Sequence, residues 1–484
     1  MRQLSALDAQ FLSLETDAGV ANIGGLSVLD GECSRNDLVA LVGERSALVA
    51  PLRQRIMPVP FGLDRPYWVE AEAVDLGYHV RETRLPHPGS DRQLAAQVAR
   101  LHGRRLDRRR PLWEMYLIHG LRGGRSAVYV KLHHATVDGV GGAQILAAVL
   151  DREPRPPRRA PAPPAAPDYA PGSAEVLVRA GARLVAGPVR LVRCLLETVP
   201  YLDEIPLVSR LPGAARVSGT IRSATRCLAK GEQVPVLPRL TAPRTPFNGP
   251  VSSRRSFAFT TLRLDEVKWI KNAFGVTVND VVMTLTAAAV RRWLLDRGAL
   301  PEEPLVTAVP FSLREADGAG AGNQVTLMIT SLPTQIADPR ERLQAVHAAM
   351  RRIKDRRKLA PAPWLQTWSE GMPTALTGLG DRAAFSLIAH TSPVINLVVS
   401  NVPGPQHPLY LCGRRVLAMY PVSAVTDASG GLGITALSYD GGIAIGIIAD
   451  PTMVPNIWHL AGYLREASQE LKSCARAGLR RAPV

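Results

Sequence analysis

Apolar residues recur at helical intervals over residues 38–49 and 93–106, and between and after these stretches they fall into short runs of strand length. Residues 113–121 and 126–133 predict two strands joined by Arg122-Gly123-Gly124-Arg125, a hairpin signal. The second of these strands, SAVYVKLHH, ends on His133 and His134. Residues 141–151 then predict a helix that turns Ile145, Leu146, Val149 and Leu150 inward. The first 152 residues therefore alternate short strands with amphipathic helices.

The pattern breaks at residues 152–173, REPRPPRRAPAPPAAPDYAPGS. So much proline excludes helix and central strand, and predicts an extended linker that splits the chain in two. Residues 174–230 are rich in arginine, leucine and valine and poor in acids. Such a basic amphipathic helix either lies in a membrane interface or packs on its own protein with a solvated basic face. After a second proline-containing tract (234–250), residues 251–471 alternate again. The main helix reads VNDVVMTLTAAAVRRWLLD, and strands are predicted in PLVTAVPFSL, NQVTLMITSLP, INLVVSNVP and GGIAIGIIAD. The expected organisation is a lobe over 1–152, a connector over 153–250 and a second lobe over 251–484.

With 484 residues, 46% of them hydrophobic and 21% charged, the chain has ample material for two cores. The net charge of +16, carried mostly by arginine, points to anionic partners: nucleic acid, lipid headgroups or a phosphate-rich small molecule. Aromatics at 5% and the lack of any nucleic-acid-binding signature argue against nucleic acid. Five scattered cysteines without a CxxC pair fit reduced thiols rather than a zinc cluster or disulfide framework. The acids in MRQLSALDAQFLSLETD do not suit a signal peptide, and no uninterrupted apolar stretch is long enough to span a bilayer. The expected location is the cytoplasm, in peripheral contact with the inner face of the membrane or with lipid inclusions.

The stretch KLHHATVDGVGG concentrates the candidate chemistry. An imidazole accepts a proton near neutral pH. Neighbouring strand residues face opposite ways, so one histidine is expected to act and the other to pack. The same geometry, and the absence of HExxH or another ligand cluster, argues against a metal. Asp138 either orients a histidine or pairs with an arginine from another segment, and Gly139, Gly141 and Gly142 permit tight bending. No GxSxG, P-loop or GxGxxG accompanies the motif. A general base without a covalent nucleophile suggests direct transfer, in which a hydroxyl loses its proton as it attacks an activated acyl group.

His133-His134-Ala135-Thr136-Val137-Asp138-Gly139 resembles the HHxxxDG motif of CoA-dependent acyltransferases related to chloramphenicol acetyltransferase. More narrowly, the chain resembles the bacterial wax ester synthase/acyl-CoA:diacylglycerol acyltransferase family. LSALDAQFLSLET matches its N-terminal signature, and LDRRRPLWEMYLIHGL holds its PLW element at Pro111, Leu112 and Trp113. VNDVV carries its Asn-Asp pair, and VPFSLRE, GNQ and SNVPGP complete the series in order. Ala6 departs from the family, which often has proline there.

The resemblance implies an α/β (α+β) fold of two lobes, each a mixed sheet flanked by helices, with a tunnel between them. It implies acyl-CoA as a substrate rather than a bound cofactor, with diacylglycerol or a long-chain alcohol as acceptor. His134 maps onto the catalytic base, with His133 and Gly139 in the same motif, and Asp138 maps onto a structural position for which Arg314 is the suspected partner. Asn279 and Asp280 are expected either to cap a helix or to place an oxyanion-stabilising group at the tunnel. Trp113 either packs in the core or lines the tunnel, and Asn401 and Gly404 of SNVPGP either line the pocket or form a rigid turn. His79, His87 and His119 are expected to be packing or surface histidines. Transfer to another lipid or polyketide acceptor, and a catalytically silent lipid-droplet or membrane protein, stand as alternatives.

Overall fold

The computed structural model describes residues 1–46, 48–136, 145, 149–155, 172–185, 242–312, 325–359 and 393–481. The first half contributes β1 (Arg2–Gln3), α1 (Ala6–Leu14), β2 (Asn22–Leu29), α2 (Arg35–Ser46), β3 (Gln54–Met57), β4 (Tyr67–Glu70), α3 (Leu76–His79), β5 (Val80–Arg84), α4 (Asp91–His102), β6 (Trp113–Leu121) and β7 (Arg125–His133). The hairpin predicted around Gly123 and Gly124 is present, and both glycines take positive φ there. Alternation along β7 divides two cores. Val128, Val130 and Leu132 meet Leu38 and Val42 of α2. Ala127 and Tyr129, on the other face, meet Leu94, Ala95 and Val98 of α4. The α4 helix begins in a capping box formed by Ser90 and Gln93.

From the connector, α5 (Ser173–Val185) is described, and its Val176 and Ala180 pack on Val59, Tyr67 and Val69 of the first half. This part of the basic stretch therefore rests on its own protein. The remainder of that stretch, the proline-rich segment from 156 to 171, and most of the helix expected over 141–151 lie outside the described residues.

The second half contributes β8 (Ser256–Arg263), α6 (Leu264–Phe274), α7 (Val278–Leu295), β9 (Leu305–Ser312), β10 (Val325–Leu332), α8 (Pro339–Leu359), β11 (Leu397–Val402), β12 (Tyr410–Leu411), β13 (Arg414–Val422), β14 (Leu432–Tyr439), β15 (Gly442–Ala449) and α9 (Trp458–Arg481). One six-stranded sheet runs β10-β9-β11-β14-β15-β8, with β11 parallel to both neighbours. Its core holds Val281, Leu285 and Trp293 of α7 against Ile434, Ile445 and Leu460. The other six-stranded sheet runs β12-β13-β2-β7-β6-β5, and a small sheet joins β1, β4 and β3.

The second half lends strands to the first. β13 pairs antiparallel with β2, so residues 410–422 complete the sheet of the first half although the linker assigns them to the second. Arg255 ties the halves further: buried, it donates to the carbonyls of Ala18 (2.8 Å) and Val425 (2.9 Å). Gly446 of β15 passes so close to β13 that a Cβ there would sit 1.8 Å from the Pro421 carbonyl oxygen.

Candidate active site

The odd-numbered face of β7 carries a row of buried polar side chains, each with its own partner. Tyr129 donates its hydroxyl hydrogen to His102 Nδ1 (2.6 Å), leaving His102 Nε2–H to meet the Ser423 carbonyl (3.1 Å). Burial, then the charges of Arg255 and Lys131, push the His102 pKa down to about 3. Two residues along, Lys131 Nζ contacts Glu114 Oε2 at 2.7 Å and donates to the carbonyls of Leu101 and Arg104. Burial opposes ionisation of Glu114, but Lys131 and the Tyr116 hydroxyl outweigh it and hold the carboxyl below its usual range.

His133 is the last of the row. Its Nδ1 accepts the Ala135 backbone N–H at 3.0 Å, so the ring proton belongs on Nε2, which faces Glu15 Oε1 at 3.7 Å. Burial first, then the neighbouring charges of Arg108, His134 and Arg105, push its pKa down to about 3. The neutral ring is held through Nδ1, while Nε2 is buried near Glu15 without a hydrogen bond. Glu15 is itself buried and held by Arg108 at 2.7 Å.

His134 leaves the strand with its N–H on the Ala21 carbonyl (2.8 Å) and its side chain half-buried. Its ring stacks on Phe11 with centroids 3.9 Å apart and planes 18° apart. The two adjacent histidines thus divide as strand alternation requires: one is locked in the interior and the other is presented beside an aromatic plate. Phe11 and Glu15 both come from the N-terminal signature, whose helix α1 starts at Ser5, a cap for the Asp8 N–H (3.1 Å). Ala6 occupies the first helical position, where proline is favoured but not required. Sequence reasoning did not assign roles to Phe11 and Glu15; their place inside the signature was the available signal.

The other predicted residues fall elsewhere. Trp113 is fully buried, with Nε1 donating to the Leu52 carbonyl (2.9 Å) and its ring stacked on His79 at 4.3 Å. That is a core position. Asp280 and Thr277 form a capping box at the start of α7, and Asp280 Oδ2 also meets His347 Nδ1 at 2.8 Å. Asn279 lies beside Asn401, whose Nδ2 is 3.4 Å from Asn279 Oδ1, joining α7 to β11. Gly404 is required by close approach: a Cβ would lie 2.2 Å from the Ser438 carbonyl oxygen. Asp138, Gly139 and Arg314 lie outside the described residues.

A cavity of about 360 Å³ opens beside the start of β6, lined by Arg55, Asp75, His79, Arg109 and Arg110 among others. It lies at the same end of the sheet as the histidine pair, because the Leu112 carbonyl accepts the His133 N–H at 3.0 Å. Among the described residues no group of three or more His, Cys, Asp or Glu side chains gathers as for a metal ion.

Residues 4–282 match the wax ester synthase/diacylglycerol acyltransferase catalytic domain, and residues 321–472 match the WS/DGAT C-terminal domain. The chain belongs to this family. As a WS/DGAT protein it is an acyltransferase. A putative diacylglycerol O-acyltransferase of Mycobacterium tuberculosis is 36% identical over 98% of this chain and 91% of its own length. A probable diacylglycerol O-acyltransferase of the same species is 32% identical, covering 96% and 97%. The wax ester synthase/diacylglycerol acyltransferase of Marinobacter aquaeolei superposes with a TM-score of 0.68 at 28% identity, over 98% of this chain and all of that one. The first condensation domain of the calcium-dependent antibiotic synthetase shares the fold at 16% identity, with a TM-score of 0.56. These likenesses carry the expected α/β, two-lobed architecture of this WS/DGAT acyltransferase.

Proposed function

We propose that this acyltransferase moves a long-chain acyl group from acyl-CoA to the free hydroxyl of diacylglycerol, and to long-chain alcohols as further acceptors. The observation that carries the mechanism is the division of labour between the two histidines. His133 is neutral, buried and hydrogen-bonded at Nδ1, whereas His134 is half-buried and backed by Phe11. His134 takes the acceptor proton as the oxygen attacks the thioester carbon. The carbonyl π-electrons move to oxygen, then return as the C–S bond breaks, and the imidazolium returns its proton to the CoA thiolate. No acyl-enzyme forms. A tunnel between the lobes brings the two substrates to His134, and the polar pair Asn279–Asn401 serves the oxyanion from the second lobe.

The arginine-lined cavity suits the phosphates of CoA, since Arg55, Arg109 and Arg110 line it at the same end of the sheet as the histidine pair. Asp75 takes up part of that charge through Arg110 at 3.1 Å, leaving Arg55 and Arg109 as the main anion contacts. The net charge of +16 favours attachment to anionic membrane or lipid-inclusion surfaces, where apolar acceptors reside. No single helix among the described residues is long and apolar enough to cross a membrane.

The test is transfer from palmitoyl-CoA to a panel of acceptors, read by thin-layer chromatography and thiol release. His134→Ala should lower turnover on diacylglycerol by about 10²–10⁴-fold with an unchanged circular dichroism spectrum. Near-normal turnover in that variant would overturn the mechanism. Product with only a polyketide or other lipid acceptor would overturn the substrate assignment, and no thiol release with any acceptor would overturn the activity.

A further inference from the structure

The hairpin between β12 and β13 turns on Cys412 and Gly413, with φ of 49° and 75°. Positive φ at both central residues is the type I′ arrangement, which favours glycine, asparagine and aspartate. Cysteine at the first position needs another reason. The ladder supplies one, because it lays this turn against the far end of β2. Leu29 faces Val416, the Asp30 N–H donates to the Arg415 carbonyl at 2.8 Å, and Arg414 Nε donates to the Glu32 carbonyl at 2.9 Å. Cys33 comes next in the chain, with its thiol donating to the Ser34 carbonyl at 3.4 Å, and Cys412 packs against the same side of the sheet. Both lie in the cluster built by Leu29, Leu38, Leu411 and Val416. The neighbouring Cys412 thiol lowers the Cys33 pKa against the opposing effects of burial and Asp37, and Arg414 assists. Cys33 is thus the more readily ionised thiol, while Cys412 is the more exposed of the two.

We propose that Cys33 and Cys412 are a site of reversible oxidation, forming a disulfide that staples the hairpin of residues 410–422 to the sheet of the first half. The reaction is thiol–disulfide exchange with a small disulfide oxidant such as oxidised glutathione. The Cys33 thiolate attacks one sulfur of the oxidant and expels a thiolate. The Cys412 thiol gives up its proton, attacks the mixed disulfide at Cys33 and expels the second thiolate. Two protein thiols lose two electrons, and one disulfide becomes two thiols. The bond joins segments far apart in sequence, and so constrains the unfolded chain strongly.

The full-length protein, reduced and then incubated in glutathione buffers of rising oxidised fraction, tests this. Free thiols counted under denaturing conditions should fall from five to three. Non-reducing peptide mapping should join the Cys33 peptide to the Cys412 peptide, and dithiothreitol should reverse both. Amide exchange in residues 414–422 should slow in the oxidised form and recover on reduction. Cys412→Ser should keep five minus one free thiols throughout, with no link at Cys33. Links mapping to other cysteines, stable glutathione adducts on either residue, or unchanged reactivity of both thiols would each overturn the site. A mapped Cys33–Cys412 link with unchanged exchange in β13 would overturn the stapling role.

Discussion

Acidification should destabilise this protein through His133, by an amount the site itself sets. The ring is neutral in the fold, with its pKa pushed from 6.5 down to about 3, so protons prefer the unfolded chain below the ordinary histidine pKa. The native state is then penalised as pH falls through 6.5 toward 3, and the stabilisation is fully present above 6.5. At pH 5.5 the loss is about 1.4 kcal/mol for each histidine held this way, relative to pH 7.5. His102 is a second such group, also pushed down to about 3. Wild type should therefore lose about 2.8 kcal/mol through the pair, and His133→Gln about half that, since the amide accepts the Ala135 N–H without titrating. Urea unfolding at the two pH values, with an unchanged m-value as the check, reads the difference. Equal losses in wild type and His133→Gln would refute the reasoning. Such a result would mean that Glu15, 3.7 Å from Nε2, keeps the folded ring as basic as the unfolded one.

Phe11→Ala should lower turnover by up to about tenfold while leaving the fold intact, because stacked aromatic contacts are worth about 0.5–1.5 kcal/mol; unchanged kcat would remove Phe11 from the site. Lys131→Met leaves the longer contact to Arg81 (3.6 Å) as the ion pair of buried Glu114 and should cost about 3 kcal/mol, most of it recovered in Lys131→Met/Glu114→Leu, as a denaturation cycle would show. Gly446→Ala should destabilise by about 1–3 kcal/mol by forcing β15 away from Pro421, read from thermal unfolding.

Much of this was legible in the sequence because it rests on local pattern. The β6–β7 hairpin, α7, and β9, β10, β11 and β15 all fall where alternation or helical spacing predicted them, although the cap of α7 is Thr277 rather than Asn279. Strand alternation also foresaw that the two histidines would divide, though not what each would meet. Phe11 and Glu15 reach the pair only through the docking of α1, a contact with no local signature. The crossing of β13 was hidden for a similar reason: RRVLAMYPV reads as a strand for either sheet, and only its pairing with β2 decides. The row Tyr129, Lys131 and His133 alternates with apolar residues from Ala127 onward along β7. Its meaning depended on partners at Glu114, His102 and Glu15.

The insertion of β13 into the first sheet sets an order on how the molecule is made. While a ribosome is still translating the middle of the chain, β2 has β7 on one side and an open edge on the other, with its backbone amides and carbonyls bare toward β13's place. That edge stays open until residue 422 has left the exit channel. The nascent first half must therefore wait, exposed to mispairing, for a strand encoded almost four hundred codons downstream of its partner.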